Sequence, residues 1–197
     1  MNRRSSFGKT TLFLLLACAS VFPQQTSMPR PTQSRPLQDR IADFEKPGRE
    51  RWQKPDRVIR ALKLKKADVV ADIGAGTGYF TRRFARAVPQ GKVYAVDVAE
   101  DILGYLKKEA DKLNLQNIEI IVSREDDPML PPGAVDLAFF CDTTHHIANR
   151  VAFYRKMSQG LKQGGRMAIL DFPPDAPDKP HKPEQHVSRA QAVSEAE

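Results

Sequence analysis

Short apolar runs in the central part of the chain alternate with segments whose apolar residues have helical spacing. The clearest run covers residues 69–73. It is rich in β-branched residues and leads into glycines at positions 74, 76 and 78. It predicts a buried strand that ends in a tight turn, followed by a helix over residues 77–88. Glycine suits such a turn because it adopts unusual φ/ψ angles and lets the backbone approach a ligand.

The same alternation continues as far as residue 172. Strands are predicted over residues 92–97, 117–122, 134–140 and 166–172, helices over 100–115 and 147–161, and a turn over 162–165. The run 134–140 is nearly all apolar, as expected for a parallel strand that is buried on both faces. The pattern predicts βαβ units in a doubly wound, mostly parallel α/β sheet, with helices on both faces and ligands at the carboxyl ends of the strands.

The glycine turn and the acid that follows the next strand form a candidate nucleotide site. Amides at the start of the helix after the turn would face a ligand, where the positive end of the helix dipole favours a carboxylate or phosphate. Asp97 ends the second predicted strand about 20 residues further on, where an acid binds ribose hydroxyls. A dinucleotide fingerprint requires Gly or Ala at its sixth position, and Tyr79 stands there instead.

The spacing Asp72-x-Gly74-x-Gly76-x-Gly78 resembles motif I of the class I S-adenosylmethionine (SAM)-dependent methyltransferases. "VDLAFFCDTTHHI" and "LKQGGRMAILDF" resemble their fourth- and fifth-strand motifs. "RERWQKPDRVIRAL" resembles the helix that covers the cofactor in one bacterial, small-molecule branch. The resemblance extends from residue 49 to residue 172. It implies SAM as cofactor, a small-molecule methyl acceptor and the strand order 3-2-1-4-5.

The resemblance also assigns roles to residues of the glycine turn. Asp72 would help to orient the methionine amino group of SAM, and Gly74, Gly76 and Gly78 would let the backbone approach the cofactor. Asp97 would accept hydrogen bonds from both ribose hydroxyls through its two carboxylate oxygens. The same residue is also expected to cap the helix that follows, and the two roles are compatible.

An acidic loop over residues 123–128 follows the third predicted strand. In the family an acid at this place reaches the adenine amino group, but the usual Gly-Asp pair aligns with Ser123-Arg124 in this chain. The acid has therefore moved to Glu125 or Asp126, or the loop is an ordinary solvated turn.

Asp142, His145 and His146 come just after the fourth predicted strand, where the transferable methyl group would lie. Asp142 and His145 are the candidates to face the acceptor, and a histidine there is a candidate general base. His146 is expected to start a helix and pack beneath the cofactor. No metal site is expected, because adjacent histidines point in different directions and no third ligand stands at a plausible spacing.

The charge of the chain is concentrated at its beginning. The net charge is +7, but residues 1–40 hold six Lys/Arg and only one Asp. The rest of the chain is therefore nearly balanced, and no basic stripe predicts a nucleic-acid partner.

The first 19 residues have the layout of an export signal. Basic residues precede the short apolar run 12–17, and Ala17-Cys18-Ala19 supplies small residues for cleavage. The same letters resemble a lipobox, in which case a lipidated Cys18 would be the link to a membrane. The expected location is exported, either periplasmic or lipid-anchored, and it is cytoplasmic if the leader is not functional. Residues 20–48 are rich in Pro, Gln, Ser and Thr and predict a disordered linker.

The methyltransferase domain is expected over residues 49–197 and looks incomplete at its end. The family adds a helix and two further strands after the fifth, whereas here a proline-rich loop and a helix over 188–197 end the sequence. Strands six and seven would be missing, leaving the outer edge of the fifth strand unpaired. The function expected is methyl transfer to a small molecule. The alternative is an exported, non-catalytic binding or structural module that keeps the fold.

Overall fold

Helices and strands alternate through the part of the chain that the computed structural model describes, residues 35–172 and 187–196. The predicted leader, Cys18 and the first part of the predicted linker lie outside these residues. The elements are α1 (Leu37–Phe44), α2 (Arg49–Gln53), α3 (Pro55–Leu62), β1 (Val69–Ile73), α4 (Thr81–Ala87), β2 (Lys92–Asp97), α5 (Glu100–Lys112), β3 (Ile118–Val122), β4 (Val135–Cys141), a 3₁₀ helix (Thr144–His146), α6 (Arg150–Gly160), β5 (Leu161–Leu170) and α7 (Arg189–Ala196).

The strands form one five-stranded sheet in the order β3-β2-β1-β4-β5, and every pairing is parallel. The predicted fold class and strand order are therefore confirmed. Because all strands run the same way, the turns after β1, β2, β4 and β5 lie along one edge of the sheet. The predicted site residues lie at the carboxyl ends of β1 and β2 or in the loops that follow β1, β3 and β4.

Both faces of the sheet are buried, as the apolar fourth strand predicts. Phe139 and Phe140 are adjacent on β4 and point to opposite faces. The Phe139 ring packs 4.9 Å from that of Phe80, on the side covered by α4. The Phe140 ring lies 6.4 Å from that of Phe153 and 5.8 Å from that of Tyr154, both on α6. Phe139 thus packs in the core on the α4 side of the sheet, and Phe140 packs in the core on the α6 side.

The last strand begins earlier than predicted. The strand was expected from residue 166, but Leu161 already pairs with Val135, and the register shifts before Arg166 pairs with Leu137. The predicted turn over 162–165 is this irregularity within β5, and Gly164 takes the positive φ of 77° that it requires. Among the described residues, β5 pairs on one side only, with β4.

Two predicted helices have different bounds. The segment "RERWQKPDRVIRAL" forms two helices, α2 and α3, because Pro55 has no amide to continue the first and suits the first position of the second. The helix expected over 147–161 begins only at Arg150, where the Asn149 side chain caps it by accepting a hydrogen bond from the Ala152 amide at 3.1 Å. His146 therefore does not start this helix, and that expectation is wrong.

The predicted linker over residues 20–48 is wrong for its last part. Residues 37–44 form α1, which lies against α5, and Arg40 is only 3% exposed and forms an ion pair with Asp101 of α5. Composition alone favoured disorder, but the contact with α5 stabilises the helix. Within the described ranges, no helix combines the length and apolar character needed to cross a membrane.

Candidate active site

The glycine turn after β1 has the strained geometry that its sequence predicts. Gly74, Gly76 and Gly78 all have positive φ, at 74°, 53° and 84°. A Cβ on Gly74 would lie 2.4 Å from the side chain of Thr143, in the loop after β4. Glycine is therefore required at position 74 both by backbone angle and by the close approach of a second loop.

Backbone and side-chain hydrogen bonds hold this turn against the end of β2. The amides of Gly74 and Ala75 donate to the Val96 carbonyl oxygen at 2.8 and 3.0 Å. The Gly76 amide donates to Oδ2 of Asp97 at 2.9 Å. The turn is thus fixed before any ligand arrives.

Asp97 does two things at once. Its Oδ2 accepts from the glycine turn, and its Oδ1 accepts from the amide of Ala99 at 3.0 Å, where α5 begins. Ala99 is the N-cap residue, and no side chain caps α5, which begins at Glu100, so the predicted capping role of Asp97 is wrong. Each carboxylate oxygen has a second lone pair, so these two hydrogen bonds leave acceptor capacity for ribose hydroxyls.

Asp72 is a buried acid at the base of the turn. It is 3% exposed, and its Oδ2 accepts a hydrogen bond from the Thr81 hydroxyl at 2.6 Å. Burial, assisted by the nearby charge of Asp97, raises its pKa to about 6, against the opposing effects of Thr81 and Arg49. A cation placed beside Asp72 would favour its ionised form.

The helices before β1 cover the turn. The ring of Phe44 lies 3.4 Å from the position of a Cβ on Gly76. Glu45 accepts two hydrogen bonds from Arg82 on α4, at 2.9 and 3.0 Å. Arg49 donates to the Phe44 carbonyl oxygen at 2.7 Å. These contacts attach the covering helices to the sheet domain at both ends of the glycine turn.

Tyr79 occupies the sixth position of the motif for a structural reason. Its buried ring lies between two guanidinium groups, with Arg49 at 3.9 Å and Arg83 at 4.0 Å from the ring centroid. Such stacking stabilises the link between α2 and α4. Trp52 differs, since it is exposed and stacks on Phe172 with 5.5 Å between ring centroids.

An open pocket of about 480 Å³ lies directly after Asp97. It is lined by Arg40, Val98, Ala99, Glu100 and Asp101. Sequence reasoning missed Arg40, because the residue lies in a segment whose composition predicts a linker.

The acidic loop after β3 is next to this region. The amide of Ser123 donates to the Asp97 carbonyl oxygen at 2.9 Å, and Arg124 pairs with Asp127 across the turn. Asp126 is 68% exposed and forms an ion pair with Lys156 of α6 at 2.8 Å, which lowers the pKa of Asp126. Glu125 is exposed as well. The loop is thus well placed, but Asp126 is engaged by a different element.

The loop after β4 brings Asp142 and His145 together with a residue that sequence reasoning missed, Asp171. One ligand atom from each of these three lies within 4.8 Å of the others. Asp171 directly follows β5, so the only signal for it was its place at the carboxyl end of a predicted strand. The ring centroids of His145 and His146 lie 4.1 Å apart with the ring planes tilted by 50°, and of the two histidines His145 belongs to this group.

The electrostatics of this loop region favour an anionic carboxylate and a neutral thiol. Burial tends to raise the pKa of Asp171, but contact with His145, the Phe172 amide and the Thr144 hydroxyl outweighs it, and the pKa is lowered. Burial raises the pKa of Cys141 to about 12. Its sulfur accepts a hydrogen bond from Gln53 at 3.3 Å, so Cys141 is a packed residue and not a nucleophile.

Known proteins similar to this chain are methyltransferases. A family described as a methyltransferase domain matches residues 64–195. The crystal structure of a SAM-dependent methyltransferase from Aquifex aeolicus is similar with a TM-score of 0.75 and 28% identity, covering 82% of this chain and 86% of that one.

Two curated relatives are similar over part of their length. A ubiquinone/menaquinone biosynthesis C-methyltransferase of Pasteurella multocida is 26% identical over 111 residues, 55% of this chain and 41% of that protein. A trans-aconitate 2-methyltransferase of Afipia carboxidovorans is 28% identical over 111 residues, 56% of this chain and 40% of that protein. The chain therefore spans less than half the length of these relatives.

Proposed function

Because the chain belongs to the methyltransferase-domain family, we propose that it transfers a methyl group from SAM to a small-molecule acceptor. The observation that supports this most directly is the glycine turn, which lies between two acids, the buried Asp72 and Asp97, which accepts a hydrogen bond from the Gly76 amide. The cofactor class and the fold are those of the family, and the identity of the acceptor is the open part of the proposal.

The residues present fit SAM. The cofactor carries a positively charged ammonium group, and Asp72 is a buried acid whose charged form would be favoured by a cation beside it. The Thr77 hydroxyl, in the turn itself, is buried and has no hydrogen-bond partner among the residues that the structure describes, so it could bond a ligand. When bound, SAM supplies a methyl group that is already activated, so the protein has to align the donor with the acceptor and exclude water.

Each part of the site has a role in this proposal. Asp72 holds the ammonium group, and Gly74, Gly76 and Gly78 let the backbone approach. Asp97 accepts hydrogen bonds from the ribose hydroxyls, and the pocket behind it receives the adenine. In the loop after β3, Glu125 or Asp126 reaches the adenine amino group.

The acceptor side is assigned to the loop after β4. Asp142 and His145 lie there, and Thr143 between them touches the glycine turn at Gly74. The loop is therefore next to the place where the cofactor would bind. A small-molecule acceptor is supported by the relatives, one of which acts on trans-aconitate, and by the nearly balanced charge beyond residue 40.

Calorimetry with S-adenosylhomocysteine, the product of methyl transfer, tests the proposal. Saturable binding is expected, and Asp97→Ala is expected to raise the dissociation constant roughly 10- to 150-fold. This is the effect of about 1.5–3 kcal/mol for lost hydrogen bonds that involve a charged group. Asp111→Ala is the control, because Asp111 is an exposed acid on α5 that pairs with Lys107. No binding, or equal binding by both variants, would refute the assignment.

A further inference from the structure

The ends of β4 and β5 place two carboxylates side by side. Cys141 and Leu170 are partners in the sheet register, so the residues that follow them, Asp142 and Asp171, leave the sheet together. The Asp142 amide still donates to the Leu170 carbonyl oxygen at 2.9 Å. The parallel register alone therefore brings these two acids to the same point.

A histidine completes the group. The 3₁₀ helix turns the chain back after Asp142, and it brings Nδ1 of His145 to 3.7 Å from Oδ2 of Asp171, with the His145 side chain only 2% exposed. The ligand atoms of Asp142, His145 and Asp171 all lie within 4.8 Å of one another. Three potential ligands from separate segments thus converge in a partly buried position.

The distance between His145 and Asp171 is compatible with a shared ion. A hydrogen bond from nitrogen to oxygen spans about 2.7–3.2 Å, and the distance of 3.7 Å between Nδ1 of His145 and Oδ2 of Asp171 is longer. Two atoms bound to one ion at about 2.1 Å each stand roughly 3.0–3.5 Å apart at octahedral or tetrahedral angles. The observed spacing is close to this range, and it is also that of a direct ion pair between the two side chains.

Neighbouring groups hold the Asp171 carboxylate in place. Its Oδ2 accepts a hydrogen bond from the buried Thr144 hydroxyl at 3.0 Å, and its Oδ1 accepts from the Phe172 amide at 2.8 Å. Outer hydrogen bonds of this kind orient metal ligands in general. Trp52, stacked on Phe172, lies over the same end of β5. The carboxylate is thus held in a fixed orientation by its neighbours.

We propose that Asp142, His145 and Asp171 bind one divalent transition-metal ion. One imidazole nitrogen with two carboxylate oxygens suits Mn²⁺ or Zn²⁺, whereas Mg²⁺ prefers oxygen ligands alone. The sequence pointed away from a metal because no third ligand follows the histidines at a short spacing. The structure supplies that ligand from the next strand.

The metal site also narrows the class of acceptor, and this step rests on the proposed methyl transfer. The three residues lie beside Thr143, which contacts the glycine turn. Three protein ligands leave at least one position open on such an ion. An acceptor with an anionic oxygen, such as a carboxylate, an enolate or an acidic hydroxyl, would occupy that position next to the cofactor site.

Metal titration of the untagged, metal-free full-length chain tests the proposal without any cofactor. MnCl₂ binding is followed by loss of the free Mn²⁺ signal in electron paramagnetic resonance, and ZnCl₂ and MgCl₂ binding by calorimetry. The expected result is one Mn²⁺ or Zn²⁺ per chain. Asp142→Asn and Asp171→Asn should each weaken binding about tenfold or more, whereas Asp111→Asn on α5 should bind as the unchanged protein does.

The outcomes separate this inference from the proposed function. Absence of saturable Mn²⁺ and Zn²⁺ binding, or equal affinity in Asp171→Asn, overturns the metal site, and equal affinity for MgCl₂ overturns its metal preference. If circular dichroism shows that Asp171→Asn does not fold, Asp142→Asn decides. S-adenosylhomocysteine binding without metal binding leaves methyl transfer standing and removes the metal. Metal binding without S-adenosylhomocysteine binding leaves the metal site standing and removes methyl transfer.

Discussion

The two halves of the sheet edge are built in different ways. At the β1–β2 end, the functional groups lie within one short motif and one acid, and backbone amides of the glycine turn are held by Val96 and Asp97. At the β4–β5 end, Asp142, His145 and Asp171 meet through sheet register and a 3₁₀ helix. The sequence therefore predicted the residues of the first end together, whereas at the second end it predicted Asp142 and His145 but not Asp171, which only folding brings to them.

The two ends are neighbours because β1 and β4 pair in the sheet, up to Ile73 and Phe140. Beyond the strands, Thr143, which lies between the acid and the histidine of the β4 loop, packs against Gly74 of the glycine turn. This contact joins the two loops. The comparison therefore yields three tests: the contact itself, a buried acid of the first end, and the exposed loop beside it.

The largest effect is expected from Gly74→Ala. The alanine would have to keep the φ of 74°, and its Cβ would lie 2.4 Å from the Thr143 side chain. Backbone strain and steric overlap would therefore both destabilise the folded protein. The free energy of unfolding should fall by about 4 kcal/mol, and S-adenosylhomocysteine binding should weaken as the β4 loop is displaced. Urea denaturation and calorimetry measure the two effects.

Gly104→Ala is the matched control for this substitution. Gly104 is inside α5, and a Cβ there meets nothing within 4 Å. Because alanine has a higher helix propensity than glycine, the free energy of unfolding of this variant should rise by about 0.5–1 kcal/mol. If Gly74→Ala is as stable as the unchanged protein, the close approach of the two ends is not required.

Asp72→Asn should have an effect that depends on pH. Burial raises the pKa of Asp72 from 3.8 to about 6. Between these values the folded protein binds more protons than the unfolded chain, so Asp72 lowers stability as pH rises, by up to about 3 kcal/mol above pH 6. The asparagine side chain removes this cost and can still accept from Thr81. The free energy of unfolding of the variant should therefore exceed that of the unchanged protein by more at about pH 7.5 than at about pH 5. The variant should also bind S-adenosylhomocysteine more weakly than the unchanged protein does.

Asp136→Asn should change stability in the opposite direction, because the pKa of Asp136 is lowered whereas that of Asp72 is raised. Burial tends to raise the pKa of Asp136, but Lys162 and the Val69 amide outweigh it and lower the pKa. The ionised form therefore stabilises the fold at any pH above the ordinary pKa of an aspartate. Asp136→Asn should accordingly lower the free energy of unfolding at about pH 7.5. Urea denaturation at the two pH values measures both variants. Parallel pH profiles for Asp72→Asn and Asp136→Asn would contradict the electrostatic account.

The smallest effect is expected in the loop after β3. The acid that contacts the adenine amino group is expected to be Glu125 or Asp126. Its amide variant, Glu125→Gln or Asp126→Asn, should weaken S-adenosylhomocysteine binding about fivefold, as for one hydrogen bond. The other variant should change the binding by less than about twofold, as for an exposed charged group. Calorimetry on both variants decides which acid makes the contact. Unchanged binding by both variants would remove this loop from the cofactor site.

Most of the fold was predictable because its signals are local. Apolar runs gave the five strands within a few residues, and the glycine turn gave the end of β1. The errors concern contacts that composition does not report. Arg40 orders α1 through an ion pair with Asp101, Pro55 divides the covering segment into two helices, and β5 begins early because Leu161 reaches Val135.

The sequence by itself determined the family, because Asp72, the glycines and Asp97 occupy fixed places in a strand–turn–helix motif, and its resemblance to the family predicted the strand order. Only the tertiary structure showed that a second acid, Asp171, joins Asp142 and His145, the two residues that the sequence predicts to face the acceptor. Asp171 reaches Asp142 and His145 only because Cys141 and Leu170 pair in the sheet. It also decided that Asp126 turns toward Lys156. Periodicity reports which residues share a face of one element, whereas sheet register determines which distant residues become neighbours.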